Sequence, residues 1–182
     1  NFLSFFFSFS SFNLDKIIFG SETSKNWWTQ KYFWMKWINY KIIYNGIKLN
    51  KFNFKKRINK NKFNISFVGR IVYENNPELF LKVVQDNLEN KQFKFHCYGK
   101  GPLKYKMNNK NIIFHGWCNP KIIYKKTDLI IITSKVQNFP YVALEAKTAG
   151  IPVISTSKGD IKKIIFNNSD GFLIKKFDLK II

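Results

Sequence analysis

Short apolar runs alternate with helical patterns from Phe63 to the end of the sequence, and this rhythm constrains the fold more than any other feature. Four of the helical patterns open on a proline, which suits a first helical position because its missing N–H would be unpaired there: Pro77, Pro102, Pro120 and Pro140. Strands that alternate with helices predict parallel pairing through right-handed crossovers. We therefore predict an α/β fold with a Rossmann-like, doubly wound parallel sheet, whose strands are residues 64–68, 92–98, 111–115, 128–132, 152–155 and 171–174.

Glycines and two cations follow the carboxyl ends of the predicted strands. Ligands of a doubly wound sheet bind at this edge, and glycine lets them approach the backbone closely. One anionic ligand would satisfy five consecutive loops, at residues 69–70, 99–102, 116–117, 133–140 and 155–159. The ligand-binding residues that we predict in the first three loops are Gly69, Arg70, Gly99, Lys100 and Gly116.

The segment 128–150, DLIIITSKVQNFPYVALEAKTAG, reads as a strand, a polar loop and a helix. We place Pro140 at the first helical position, so that later amides of the first turn face the loop and can hold a phosphate. Glu145 lies about one and a half turns into this helix, where its carboxylate can reach a diol on the loop. The alternative is an ordinary strand–loop–helix unit with an exposed glutamate.

A family resemblance follows from this segment. The run 134–145, SKVQNFPYVALE, resembles the S-x-x-E-G-F-P-x-x-x-x-E signature of retaining GT-B glycosyltransferases of family four, which take sugars from nucleotide-sugar donors. Gln137 stands where the family has its first glutamate, and Asn138 stands where it has glycine. Further runs are similar to family motifs: FVGRIVYENNPELFLKVV, YGKGPLK, NIIFHGW and AGIPVISTSKGDIKKIIFNNSDGFLI.

The resemblance implies a role for each site residue. Arg70 would contact the donor diphosphate, Gln137 the donor sugar and Glu145 the ribose, and these three form the predicted catalytic set. The partner lysine of the family is replaced by Asn75, and Lys100 is a substitute by geometry alone. The loop residues that complete the predicted donor site are Asn138, Phe139 and Pro140.

The first third of the sequence has a different organisation. Strands are predicted at 16–20 and 41–44, with an aromatic segment between them, and the resemblance makes residues 1–62 the end of an N-terminal domain plus a linker. Residues 63–182 would then be the nucleotide-sugar-binding domain, the C-terminal half of a GT-B fold. The opening run 1–12, NFLSFFFSFSSF, is too short to span a bilayer. We expect it to form a buried helix, with a membrane-facing patch as the alternative.

The formal net charge of +20 would ordinarily indicate a nucleic acid or an anionic membrane surface as the partner. Arginine occurs only at Arg57 and Arg70, however, while Lys, Asn, Ile and Phe dominate, which is the bias of an A/T-rich genome. The lysines are spread along the chain, so we expect no nucleic acid partner. Cys97 and Cys118 have neither a disulfide framework nor metal-ligand spacing, so we expect a reducing compartment and no metal site.

These observations predict a glycosyltransferase that moves a sugar from a nucleoside-diphosphate sugar to an unknown acceptor with retention, in glycan, lipopolysaccharide or glycolipid assembly. The sequence begins with Asn and shows no obvious closing helix, so we expect a fragment that is inactive alone. We expect a sugar or lipid-linked acceptor, no cofactor, and a cytoplasmic location or peripheral contact with the cytoplasmic membrane face. The alternative is a nucleotide-binding module without transfer activity, since Asn75 and Gln137 depart from the family pattern.

Overall fold

The structure, a computed structural model, describes residues 2–11, 14–48 and 61–174. The chain divides into two compact units, Asn1–Gly46 and Ile47–Ile182. The predicted linker, within residues 50–62, lies almost entirely outside the described residues. The predicted domain boundary after residue 62 therefore stays a prediction.

The smaller unit pairs two short parallel strands, β1 (Ile17–Phe19) and β2 (Tyr40–Ile42), as predicted for these regions. Its helices are α1 (Phe2–Ser10) and α2 (Glu22–Lys31), and a 3-10 turn follows at Phe33–Lys36. The side chains of its core are at most 9% exposed and are Ile17, Phe19, Tyr32, Met35 and Ile38.

The prediction of a buried helix at residues 1–12 is wrong for three of its phenylalanines. Phe5, Phe6 and Phe9 are 50%, 65% and 62% exposed. Ser8 of the same helix is fully buried, and its carbonyl oxygen accepts a hydrogen bond from Trp34 Nε1 at 3.2 Å. Among the described residues, no helix has both the length and the apolar character needed to cross a membrane.

The larger unit is built on one six-stranded sheet with the spatial order β5-β4-β3-β6-β7-β8. Each pairing between neighbouring strands of this sheet is parallel. The strands are β3 (Phe63–Val68), β4 (Phe93–Tyr98), β5 (Ile112–Gly116), β6 (Leu129–Ile132), β7 (Val153–Thr156) and β8 (Gly171–Ile174). Every one begins and ends within one residue of its predicted bounds, so the predicted fold class is confirmed.

Alternating side chains divide the interior of this unit into two cores, one on each face of the sheet. Ile65, Phe67 and Ile131 belong to one core, and Ile130 and Ile132 belong to the other. Because β6 is covered on both faces, all four of its residues are buried, as is typical of a central parallel strand. The helices that cover the faces are α3 (Pro77–Asp86), α4 (Pro120–Lys126) and α5 (Tyr141–Thr148), with 3-10 turns at Tyr73–Asn75, Pro102–Met107 and Gly159–Lys163.

The prolines mark the helix starts with one exception. Pro77 and Pro120 occupy first helical positions, and Pro102 opens a 3-10 turn. Pro140 is not the first helical residue, because its ψ of 109° is extended and α5 begins at Tyr141. Its carbonyl oxygen accepts the first helical hydrogen bond, from Leu144 N at 3.3 Å. Pro140 is therefore the N-cap of α5.

Candidate functional site

Backbone hydrogen bonds bind the loops after β3, β4 and β5 to one another. Gly69 N donates to Tyr98 O at 2.9 Å, and Gly99 N donates to Gly116 O at 2.7 Å. Gly99 has a φ of +149°, and a Cβ atom added there would lie 1.8 Å from Gly69 O. Only glycine fits this approach, so the three predicted glycines hold one edge of the sheet together.

A cavity of about 360 Å³ opens at this edge and is lined by Arg70 and Lys100, the two predicted cations. Both side chains are exposed, so they can meet a ligand from solvent. Ile123 and Trp117 also line the cavity, and Trp117 is 77% exposed. An apolar cavity beside two cations can hold a flat apolar group that carries an anion.

Tyr98 lines the same cavity and was missed by the sequence interpretation, which read it only as part of a strand. It is 2% exposed, and its hydroxyl is buried without a hydrogen-bond partner in the part of the chain that the structure describes. Its ring stacks on His115 with centroids 4.3 Å apart. Burial raises the pKa of Tyr98, so the hydroxyl keeps its proton at neutral pH. A buried polar group of this kind is one that a ligand can satisfy.

Asn75, which the resemblance places at the position of the family's lysine, connects two loops of the site. Its side-chain Nδ2 donates a hydrogen bond to the backbone oxygen of Arg70 at 2.7 Å, and its backbone carbonyl oxygen accepts one from Thr133 Oγ1 at 2.7 Å. Asn75 therefore holds the loop of Arg70 against the loop between β6 and α5. It supplies no positive charge, so this position provides no second cation.

The loop between β6 and α5 is also fixed from the side of β7. Asp160 N donates to Asn138 O at 2.9 Å, and a Cβ atom on Gly159 would lie 1.9 Å from Gln137 O. The side-chain oxygen Oε1 of Gln137 is buried without a hydrogen-bond partner among the described residues. Phe139 packs against the adjacent core and anchors the loop. The loop therefore has a fixed backbone and contains a buried acceptor that no described residue satisfies.

Glu145 is half-buried on α5 and accepts a hydrogen bond at Oε2 from the Tyr124 hydroxyl at 2.7 Å. Tyr124 lies on α4 and is 3% exposed. Burial raises the pKa of Tyr124 well above its usual value, and the nearby carboxylate adds to the effect, so the hydroxyl donates to Glu145. Glu145 is not the exposed glutamate of the alternative interpretation.

The two cysteines lie in different environments. Cys97 is fully buried, and burial raises its pKa to about 12, so almost no reactive thiolate exists at neutral pH. Cys118 lines the cavity and is half-buried, and its thiol donates to His115 O at 3.6 Å. Both cysteines are free.

The predicted site residues thus fall into three neighbouring groups. The first group lines the cavity and consists of Gly69, Arg70, Gly99 and Lys100. Gly116 belongs to this group because its carbonyl oxygen accepts the hydrogen bond from Gly99 N. The loop of Gln137, Asn138, Phe139 and Pro140 is joined to the Arg70 loop through Asn75. Glu145 is joined through Tyr124 to α4, whose Pro120 and Ile123 line the cavity. The roles assigned to these residues stay predictions.

Comparison with curated proteins finds glycosyltransferases. An uncharacterized glycosyltransferase of Methanocaldococcus jannaschii, MJ1607, is 31% identical over an alignment of 157 residues that covers 74% of this chain and 40% of that protein. An Escherichia coli enzyme, UDP-Gal:alpha-D-GlcNAc-diphosphoundecaprenol alpha-1,3-galactosyltransferase, is 30% identical over an alignment of 162 residues that covers 76% of this chain and 42% of that protein. The chain spans about two fifths of the length of these relatives.

Comparison with solved structures supports the fold. Sucrose-phosphate synthase from Thermosynechococcus elongatus is similar with a TM-score of 0.79 at 16% identity, covering 97% of this chain and 49% of that one. The family described as "Glycosyl transferases group 1" matches residues 50–180, which include the whole six-stranded sheet. The chain therefore belongs to the group 1 family of glycosyltransferases.

Proposed function

We propose that this chain binds the nucleoside-diphosphate sugar donor of a glycosyltransferase, and that the whole protein transfers the sugar with retention. The observation that carries the proposal is the cavity at the carboxyl edge of the sheet, lined by Arg70 and Lys100 beside apolar side chains. A nucleoside diphosphate has the matching chemistry, with a flat base at one end and two phosphates at the other. The larger unit would be the C-terminal, donor-binding half of a GT-B fold.

The diphosphate would lie against Arg70 and Lys100, with the first amides of α5 as further donors. Because α5 begins at Tyr141, the amides of Tyr141 and Val142 have no partner within the helix. Negative charge grows on the diphosphate as the sugar leaves, so fixed donors of this kind stabilise the transition state more than the ground state. In this proposal the chain's own cations and amides supply the charge stabilisation, and no metal or cofactor is required.

The two ends of the donor would meet different groups. The base would enter the apolar part of the cavity, where Trp117 offers an exposed aromatic face and Tyr98 an unpaired hydroxyl. The ribose hydroxyls would donate to Glu145. The sugar would lie at Gln137, whose buried Oε1 can accept a hydrogen bond from a sugar hydroxyl but carries no charge.

The name of the Escherichia coli relative supplies the probe and the class of acceptor. It specifies UDP-galactose as donor and a diphosphoundecaprenol-linked sugar as acceptor. We accordingly propose a uridine-diphosphate sugar as donor and a sugar or lipid-linked sugar as acceptor, in glycan assembly. A lipid-linked acceptor would bring the whole protein to the cytoplasmic membrane face, and the acceptor site would lie in sequence upstream of this chain.

Calorimetry on this chain tests donor binding. UDP and UDP-galactose should bind and uridine should not, because the diphosphate supplies most of the contact. Arg70→Ala should lower UDP affinity about 10- to 100-fold, since hydrogen bonds to charged groups contribute about 1.5–3 kcal/mol. The matched control is Lys110→Ala, which removes one exposed positive charge away from the cavity lining and should leave affinity unchanged. Equal losses of UDP affinity in the two variants would show that Arg70 acts only through the net charge of the chain and not through a direct contact.

Transfer is tested on the whole protein with labelled UDP-galactose and a panel of acceptors. Retention requires an α-linked product from an α-linked donor, which proton NMR of the anomeric signal reports. A β-linked product would contradict retention. Tight donor binding without transfer to any acceptor or to water would indicate a nucleotide-binding module instead of an enzyme.

A further inference from the structure

We propose that Tyr124 is a positioning residue, whose hydroxyl holds the Glu145 carboxylate in the orientation that receives the ribose hydroxyls. The inference rests on the proposed function, because it concerns how that donor site is built. The contact is not local, since it joins α4 to α5 across 21 residues of sequence. Such a contact is set by the fold and therefore exists before any ligand arrives.

The geometry of the contact leaves Glu145 available to a ligand. The hydroxyl oxygen lies 2.7 Å from Oε2, the separation typical of a hydrogen bond to a carboxylate. An ionised carboxylate offers about four acceptor positions, and the Tyr124 hydroxyl uses one. A diol brings two donors, and these can be accepted at the remaining positions. Tyr124 thus fixes the carboxylate without filling it.

The tyrosine itself is held rigidly. It packs in the core that contains Ile130 and Ala143, and the end of its helix is fixed to the sheet. Thr127 Oγ1 donates to Ile123 O at 2.8 Å and lies 2.8 Å from Ser66 Oγ on β3. The hydroxyl therefore has one position relative to the sheet. A glutamate fixed in this way loses less conformational freedom when a ligand binds.

The same helix borders both ends of the proposed nucleoside site. Ile123 lines the cavity in which the base would lie, and the next residue, Tyr124, holds Glu145. Base and ribose are joined by one bond, so their contacts should come from neighbouring positions. The position of α4 against β3 would therefore set the distance between base recognition and ribose recognition.

The test compares two probes by calorimetry on this chain, UDP and 2′,3′-dideoxyuridine 5′-diphosphate, which lacks both ribose hydroxyls. Tyr124→Phe removes only the hydroxyl and keeps the buried ring. We expect UDP affinity to fall about tenfold, the size of one hydrogen bond to a charged group, while affinity for the dideoxy probe changes less than about twofold. In a Glu145→Gln background, Tyr124→Phe should add little further loss, because the two groups act as one unit.

The control is Tyr32→Phe, which removes another buried tyrosine hydroxyl, bonded to Ser4 Oγ at 2.7 Å in the smaller unit. It should leave the affinity for both probes unchanged. Equal loss of both probes in Tyr124→Phe would show a merely structural effect and overturn the inference, as would no loss of either. If the unaltered chain binds neither probe, the proposed function fails and this inference fails with it.

Discussion

The carbonyl oxygen of Gly69 lies 1.8 Å from the position that a Cβ atom would take on Gly99. Any side chain at Gly99 would force the ends of β3 and β4 apart, and the φ of +149° would add strain. We predict that Gly99→Ala lowers the free energy of unfolding by about 2–4 kcal/mol. Urea denaturation measures it. Gly46→Ala is the control, because a Cβ there meets nothing within 4 Å; similar losses in both variants would refute the packing argument.

Removal of the Tyr98 hydroxyl should lower UDP affinity without lowering the stability of the fold. The hydroxyl is buried without a partner among the described residues, so Tyr98→Phe removes an unpaired polar group and should leave the unfolding free energy unchanged or raise it by about 1 kcal/mol. UDP affinity should fall, because the base loses a hydrogen-bonding group. Thermal denaturation and calorimetry give the two quantities. A large drop in stability would mean that the hydroxyl is satisfied within the chain.

Glu145→Ala should weaken the binding of UDP and of UDP-galactose by the same amount, about 1.5–3 kcal/mol. Both ligands carry the ribose whose hydroxyls would donate hydrogen bonds to the carboxylate. Glu145→Gln keeps the shape of the side chain and loses its charge, so its affinity for both ligands should lie between that of the unaltered chain and that of Glu145→Ala. Calorimetry with both ligands decides the point. A loss confined to UDP-galactose would move Glu145 from the ribose to the sugar.

Gln137→Ala should affect the two ligands differently, unlike Glu145→Ala. Its Oε1 has no hydrogen-bond partner among the described residues and lies in the loop where the resemblance places the donor sugar. The variant should therefore bind UDP normally while losing affinity for UDP-galactose and turnover in the whole protein. Gln137→Glu should keep or raise turnover, since a carboxylate can stabilise positive charge that develops on the sugar. Steady-state rates beside calorimetry test both statements. Equal loss of both ligands in Gln137→Ala would place the residue at the nucleotide.

His96 should make the fold sensitive to acid. Burial, together with His115 and Lys94, lowers its pKa from 6.5 to about 4. Between these values His96 is protonated in the unfolded chain but not in the folded chain, so its contribution to stability is constant above about pH 6.5 and is lost as the pH falls toward 4. The loss should reach about 1–2 kcal/mol after allowance for partial exposure. Urea denaturation across this range should show a flatter profile for His96→Gln; identical profiles would contradict the assignment.

The sequence predicted the sheet, but several contacts around the candidate site were not predicted. Proline and β-branched runs are local signals, and Pro77 and Pro120 began helices as expected. Pro140 did not, because a proline that caps a helix and one that starts it differ only in ψ, which the loop around Phe139 decides. The Tyr124–Glu145 contact, the burial of the Tyr98 hydroxyl and the bridging role of Asn75 all depend on residues that are distant in sequence. No local pattern could reveal them.

The strand order has a consequence for how the larger unit assembles. β3 pairs with β4 over six residues but with β6 over two, so the sheet consists of two three-stranded halves that meet along a short seam. The chain that connects β3 to β6 is longer than the chain that connects β3 to β4, but loop closure costs only about 0.6 kcal/mol more per doubling of loop length. The small number of paired residues, and not the loop, is therefore what weakens the pairing of β3 with β6. Amide protons along the seam should then exchange before those between β3 and β4, and the Asn75 contacts that cross the seam at the site would open with it.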